Sequence, residues 1–274
     1  MKKAGIVYHP LNEAAVSLAG ELAGFLDSIG VLRWMGSAWE DGGLREQAEG
    51  TDLILTLGGD GTILRAAQAA APQGIPITGI NLGRLGFMTE ISADEVKKKL
   101  PGLLAGQGWT DERAMLQADI IISGKNCGTF HALNDVVIAR GEIARIIDIE
   151  AGIDGQPLTG YRADGVIVST ATGSTGYALS AGGPVMHPQS EDLLLVPILP
   201  YLSLRHPLVL PRDTMIDLKV GAIHKAVLSV DGHICRALEG GCVVRVRHSP
   251  LRTRFLRACP RESFYSKLEQ KLRG

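Results

Sequence analysis

Cysteine is scarce in this chain, and no two cysteines stand close enough to make a C-x-x-C pair. In a chain of 274 residues, the four present (Cys127, Cys235, Cys242 and Cys259) read as reduced, buried thiols of a cytosolic protein. Long apolar runs are missing too. The longest, Leu193 to Leu202, is broken by Pro197 and Pro200 and is too short to span a bilayer. Charge of neither sign prevails. A net charge of -1 with 21% charged residues calls for neither nucleic acid nor an anionic membrane as partner. The stretch Met1 to Pro10 has basic residues but no apolar core, so it does not read as a signal peptide. The seven histidines show no metal-ligand spacing. There is no internal repeat, no low-complexity segment and no G-x-x-x-x-G-K-S/T phosphate loop.

What the chain does have is apolar mass. Hydrophobic residues make up 45% of it, enough for a sizeable core in one large or two modest domains. The rest is arranged around Thr56-Leu57-Gly58-Gly59-Asp60-Gly61-Thr62. Before it, Leu53-Ile54-Leu55 reads as a buried strand; after it, Ile63 to Ala70 is rich in helix formers. The dinucleotide fingerprint G-x-G-x-x-G does not fit this turn. Gly58, Gly59 and Gly61 let a ligand approach the backbone, and the amides opening the helix favour an anion such as phosphate. Asp60 would repel a phosphate by itself. It therefore either holds a metal ion bridging to the phosphate, takes a proton from a nucleophile, or merely tightens the turn. Asp60→Asn keeps size and most hydrogen bonding, so the turn is expected to survive it.

In chain order, Ala4 to Tyr8 reads as a strand, Ala14 to Ile29 as a helix ended by Gly30, and Val31 to Trp34 as a second strand. Ile75 to Ile80 is a further strand, followed by the loop Asn81 to Phe87. Ser92-Ala93-Asp94-Glu95 is a capping box opening a helix over Val96 to Leu104. This alternation predicts a doubly wound parallel sheet over residues 1–112, with ligands beyond the carboxyl ends of its strands. After Arg113 the segments turn short and β-rich: Ala118 to Ile122, Leu133 to Ala139, Ile146 to Ile149, Thr214 to Val220, Val227 to Val230 and Val243 to Val246. They predict an all-β domain over 113–254. Glu262 to Arg273 reads as a helix that returns to the first domain, completing it over about 255–274.

Two further stretches carry chemistry. Asn134-Asp135 falls inside the apolar run Ala132 to Ile138; adjacent strand residues face opposite ways, so one polar side chain points inward and needs a partner. A ligand's hydroxyls or a structural network would provide one. Asp164 to Pro184 is a strand running into a turn crowded with Ser169, Thr170, Thr172, Ser174 and Thr175, then a short helix from about Thr175. Those groups suit the polar edge of a base or a phosphate, and Tyr177 suits stacking on a flat ring. Arg245, Arg247, Arg252, Arg254, Arg257 and Arg261 form a basic tract. It is either a solvated face or a place for ATP or polyphosphate.

Taken together, the turn around Asp60, Leu133 to Ile138 and Asp164 to Pro184, in this order and spacing, resemble the NAD kinase family. The turn alone is shared with diacylglycerol and sphingosine kinases and some phosphofructokinases; the Asp164 stretch is the specific part. The resemblance implies an N-terminal α/β domain and a C-terminal β-sandwich with NAD held between them. It also implies transfer of a terminal phosphate from ATP or polyphosphate to the 2′-hydroxyl of the adenosine ribose, with a divalent metal ion, Mg²⁺ first, as cofactor. On this reading Asp60 activates that hydroxyl beside Gly59 and Gly61, and Asn134 and Asp135 hold the dinucleotide's hydroxyls. Asp164, Thr175, Gly176, Tyr177, Ala178, Leu179 and Ser180 line its adenine and nicotinamide subsites, some from a neighbouring subunit. Arg65, Arg145, Arg162 and His233 fall at further contacts. The implied enzyme is a cytoplasmic homo-oligomer, dimer or tetramer. Departures from the family pattern are Asp135 for the usual Glu, Gly176 for Ala, Tyr201 to Pro207, and His233 for Gln. The alternatives are a diacylglycerol-type lipid kinase and a non-catalytic NADP(H)-binding sensor.

Overall fold

A computed structural model describes residues 1–40, 43–83, 86–142, 145–222, 225–259 and 264–269. The chain divides into two compact units, Met1–Arg113 with Arg252–Gly274, and Ala114–Leu251. The first unit carries β1 (Lys3–Tyr8), α1 (Glu13–Ser28), β2 (Leu32–Ser37), α2 (Gly43–Gln47), β3 (Leu53–Leu57), α3 (Asp60–Ala70), β4 (Pro76–Asn81), β5 (Ile91–Ser92) and α4 (Ala93–Leu104). Its strands run parallel in the order β4-β3-β1-β2, with β5 beside β4. All of β3 is buried, as a central parallel strand covered on both faces must be. Leu18, Leu22 and Leu26 of α1 pack with Ile6, Leu53, Leu55 and Leu100 into one core. The side chain of Asn12 caps α1 by accepting the Ala15 N–H at 3.2 Å.

The second unit carries the greater part of β6 (Trp109–Ile122), then β7 (Lys125–Ala132), β8 (Asp135–Arg140), β9 (Ile147–Ile153), β10 (Gln156–Ala163), β11 (Gly165–Ser169), the short helix α5 (Tyr177–Ser180), β12 (Leu193–Ile198), β13 (Leu208–Leu210), β14 (Ile216–Val220), β15 (Ala226–Val230), β16 (Ile234–Leu238) and the start of β17 (Val243–Arg257). Six strands form an antiparallel sheet, β13-β12-β11-β8-β15-β16. Facing it are β10-β9-β14-β17 and the hairpin β6-β7, and alternate residues of both layers make one apolar core, a β-sandwich. The chain enters this unit within β6 and leaves it within β17, whose residues Arg254 and Phe255 lie parallel to Pro76 and Ile77 of β4.

Several expectations need correcting. β2 runs on to Ser37, and β17 far outruns the predicted Val243 to Val246. The capping box is half made: Glu95 accepts from the Ser92 backbone N–H, but the Ser92 hydroxyl donates to Glu95 Oε2 at 3.0 Å instead of accepting from the helix. Two of the cysteines expected to be buried, Cys127 and Cys235, are exposed; Cys242 is buried. Of the predicted C-terminal helix, Phe264–Lys267 form a 3₁₀ turn that runs into helical Leu268 and Glu269, and Glu262, Ser263 and residues 270–274 lie outside the described residues. So do Arg84 and Leu85 of the loop after β4, and Arg261 of the basic tract. Among the described residues no helix is long and apolar enough to cross a membrane.

Candidate active site

The turn after β3 is open where a ligand would need it to be. Gly59 is the N-cap of α3, and Asp60 is the helix's first residue. A Cβ placed on Gly59 or Gly61 would meet nothing within 4 Å. Gly58 differs: its φ is +151°, and a Cβ there would run into the Thr62 side chain. Asp60 is half-buried, and both its oxygens are engaged. The Phe87 N–H donates to Oδ2 at 2.8 Å and the Met88 N–H to Oδ1 at 3.0 Å. The carboxylate lies so close to Gly86 that no Cβ fits there. Each oxygen keeps a lone pair for a proton or a cation. The expectation for Asp60→Asn changes accordingly. An amide side chain has one acceptor oxygen, so its NH₂ would be turned against one of these N–H groups. Arg65, one turn further along α3, stacks on the Trp39 ring at 4.6 Å, and that ring in turn stands 4.1 Å from His9.

In the second unit, antiparallel register sets the start of β8 beside the ends of β11 and β15: Asp135 pairs with Ser169, and Val136 with Val230. Asn134 is not inside the strand, as the sequence suggested, but in the bend before it. The reason is Asp231. Its Oδ2 accepts the Leu133 N–H at 2.8 Å, and its Oδ1 accepts those of Asn134 at 2.7 Å and Asp135 at 3.1 Å, which bends the backbone around a buried carboxylate. Asp231 occupies the β15–β16 turn at φ +50°, followed by Gly232 at φ +70°, the I′ geometry that favours Asp-Gly in hairpins. The DG pair was the sequence signal for the turn; nothing in it announced the three amides. Burial pushes the Asp135 carboxyl up to about 7, with the neighbouring Asp231 charge adding to the effect. Burial raises Asp231 as well, against the pull of its three amides.

The hydroxyl-rich stretch packs onto this bend instead of facing a ligand throughout. Thr170 Oγ1 donates to the Leu133 carbonyl at 2.6 Å, Ser169 Oγ to that of Asn134 at 3.0 Å, and Ser174 Oγ to that of Ala171 at 2.7 Å. All three side chains are buried. What remains presented is Thr175, Gly176, Tyr177 (48% exposed), Leu179 and Ser180, while Ala178 is buried. A Cβ on Gly176 would stand 3.6 Å from Asn134 Nδ2, so the two stretches meet there. Asn134 Oδ1 is buried and has no hydrogen-bond partner among the described residues. A buried carbonyl oxygen in that state calls for an external donor. His233 is close by, its Nδ1 3.0 Å from the Asp231 carbonyl oxygen.

Asp164, Arg162 and Arg145 are not part of this gathering. Asp164 precedes the start of β11, about five residues or roughly 16 Å from Ser169 at strand rise, and it pairs with Arg140 at 3.1 Å. Arg162 pairs with Asp148 at 3.4 Å, and Arg145 is exposed before β9. The basic tract is not a free anion surface either. Arg245 donates to Asp217 at 2.8 and 2.9 Å, Arg247 to Asp119 at 3.3 Å and Arg254 to Glu112 at 3.0 Å, while Arg257 is buried.

Known proteins resemble the chain over its whole length. Residues 27–108 match the family model for the ATP-NAD kinase N-terminal domain, and residues 133–258 that for the C-terminal domain. An NAD kinase of Dehalococcoides mccartyi is 49% identical over 274 residues, covering 100% of this chain and 96% of that protein. One from Chloroflexus aggregans is 41% identical over 273 residues, covering 100% and 99%. Among solved structures, yeast NADH kinase complexed with NADH superposes with a TM-score of 0.89 at 27% identity, over 100% of this chain and 88% of that one. An NAD kinase from Archaeoglobus fulgidus in complex with ATP superposes at 0.78, also at 27% identity, over 99% and 98%. With both domains matched and full-length relatives far above 30% identity, the chain belongs to the NAD kinase family and is a kinase.

Proposed function

We propose that the chain transfers the terminal phosphate of ATP to the 2′-hydroxyl of the adenosine ribose of NAD, forming NADP. Asp60 carries the reading: a fixed carboxylate at an open glycine turn, with a lone pair left on each oxygen. It takes the hydroxyl proton as the ribose oxygen bonds to phosphorus and the bond to the leaving ADP oxygen breaks. The amides at the start of α3 and the Arg65 guanidinium suit the phosphate charge. A divalent ion fits the donor set. Mg²⁺ is commonly bound through one or two carboxylates plus substrate phosphates, and Asp60 would be that carboxylate, with the ion neutralising phosphate charge. Among the described residues no cluster of three metal-ligating side chains exists, so the phosphates would supply the other ligands.

Asn134 and Asp135 accept and donate to the dinucleotide's hydroxyls, Tyr177 stacks on a ring, and Thr175 to Ser180 with His233 complete that end. Asp164, Arg162 and Arg145 serve a neighbouring subunit's nucleotide in a homo-oligomer, dimer or tetramer; the place of Asp164 at the far end of β11 from Ser169 supports this. ATP is favoured over polyphosphate, because Arg245, Arg247 and Arg254 of the basic tract already face carboxylates. Its free thiols suit the cytoplasm. The test is incubation with NAD, Mg²⁺ and either ATP or polyphosphate. NADP is expected with ATP. No NADP from either donor, together with a melting-temperature shift by diacylglycerol and none by NAD, would overturn the reading.

A further inference from the structure

We infer that Arg257 is a positioning residue for Asp60, acting through the backbone of Phe87 and Met88; the inference rests on Asp60 being the reacting carboxylate. Arg257 ends β17 and is 7% exposed. Its Nη1 donates to the Met88 carbonyl at 2.8 Å, and the N–H of that same residue donates to Asp60 Oδ1 at 3.0 Å. One residue of the loop thus joins the guanidinium to the carboxylate.

The guanidinium itself is held on its other sides. Nε and Nη2 donate to Asp111 Oδ2 at 3.2 and 3.0 Å, and Nη1 lies 3.3 Å from Glu90 Oε2. The Phe255 ring lies under it, 4.5 Å away. Asp111 is gripped in turn by Arg113 at 3.0 and 2.6 Å, and Glu90 Oε1 accepts the Cys259 N–H at 2.6 Å. A buried ionic assembly of this kind is a poor route to stability, since well-packed apolar side chains of like volume commonly do as well or better. What apolar side chains cannot offer is a donor fixed in direction against a loop carbonyl. Arginine's rigid fork reaches Met88, Glu90 and Asp111 together; a lysine ammonium on a flexible stem cannot. The loop so held is the one whose amides grip both Asp60 oxygens, and small misplacements of a reacting group lower turnover steeply.

The test is a double-mutant cycle on the full-length enzyme. Arg257→Lys keeps the charge beside Asp111, and its kcat is expected to fall about 10- to 100-fold with KM for NAD nearly unchanged. In an Asp60→Ala background the same change should alter kcat less than about twofold, because the group being positioned is gone. Phe87→Pro deletes the donor to Oδ2 without touching the ionic assembly. It should give the same signature; if Arg257→Lys does not fold, Glu90→Gln, which loosens the hold on Arg257 Nη1, takes its place in the cycle with a kcat loss in the same direction expected. Equal kcat losses with and without Asp60 would mark a merely structural role and overturn the inference, as would wild-type kcat in both folded variants. If Asp60→Ala alone kept near-normal turnover, the assignment of Asp60 would fail instead, and the inference with it.

Discussion

Asp60 and Asp231 are both carboxylates gripped by backbone N–H groups from a distant part of the chain, Asp60 by Phe87 and Met88, Asp231 by Leu133, Asn134 and Asp135. Asp60 stands half-exposed at a turn where Gly59 and Gly61 leave open space, and it keeps acceptor capacity. Asp231 is 6% exposed, and its charge acts inward, shaping the bend that carries Asn134 and raising its neighbour Asp135. On the proposed reading, the same interaction yields a reagent in one unit and a piece of scaffold in the other. Solvent access and unused lone pairs, not residue type, separate the two roles.

The sharpest way to break that contrast is at Asp60. Asp60→Asn should lower turnover about 10²- to 10⁴-fold while NAD still binds. It should also cost about 1–3 kcal/mol of stability, because one loop amide loses its acceptor. A lower melting temperature therefore does not distinguish a catalytic Asp60 from a structural one; only turnover beside NAD affinity does, and near-normal turnover would remove Asp60 from the mechanism.

Asp231→Ala should do the reverse. Three buried amides lose their acceptor together, so unfolding by urea should show a loss of about 3–5 kcal/mol. A loss below about 1 kcal/mol would mean that the bend at Asn134 holds without the carboxylate.

The effect with a pH signature is at Asp135. Its carboxyl is raised to about 7 from its ordinary 3.8. The stability of the neutral form is fully present below pH 3.8, is lost as pH rises through about 7, and stays lost above. Asp135→Asn carries no such loss. It should raise stability at pH 8 by up to about 4 kcal/mol, a gain that fades towards pH 4. A gain independent of pH would show that burial of charge is not the cause.

Much of this was legible in the residues. The apolar run before Gly58 had to be a strand and the run after Thr62 a helix, because their patterns are local. The three motif stretches by themselves point to the family. Asn134 departs from its expected place for an equally physical reason: Leu133 to Ile138 has strand composition, but the backbone is bent out of the strand by a carboxylate 97 residues away. The hydroxyl cluster after Asp164 reads as a ligand surface, but Ser169 and Thr170 pack on the bend at Leu133 and Asn134.

The sequence by itself determined the alternation of strand and helix, the open glycine turn, the β-rich second unit and the residue types at the two acidic centres. Only the tertiary structure decided which amides face which carboxylate, how deeply Asp135 and Asp231 are buried, and that Arg257 leaves the basic tract to hold a loop carbonyl. Those contacts join residues 27, 28, 96 to 98 and 169 positions apart. No helical or strand periodicity encodes such separations. They exist only once the sheets have closed and removed water from between them.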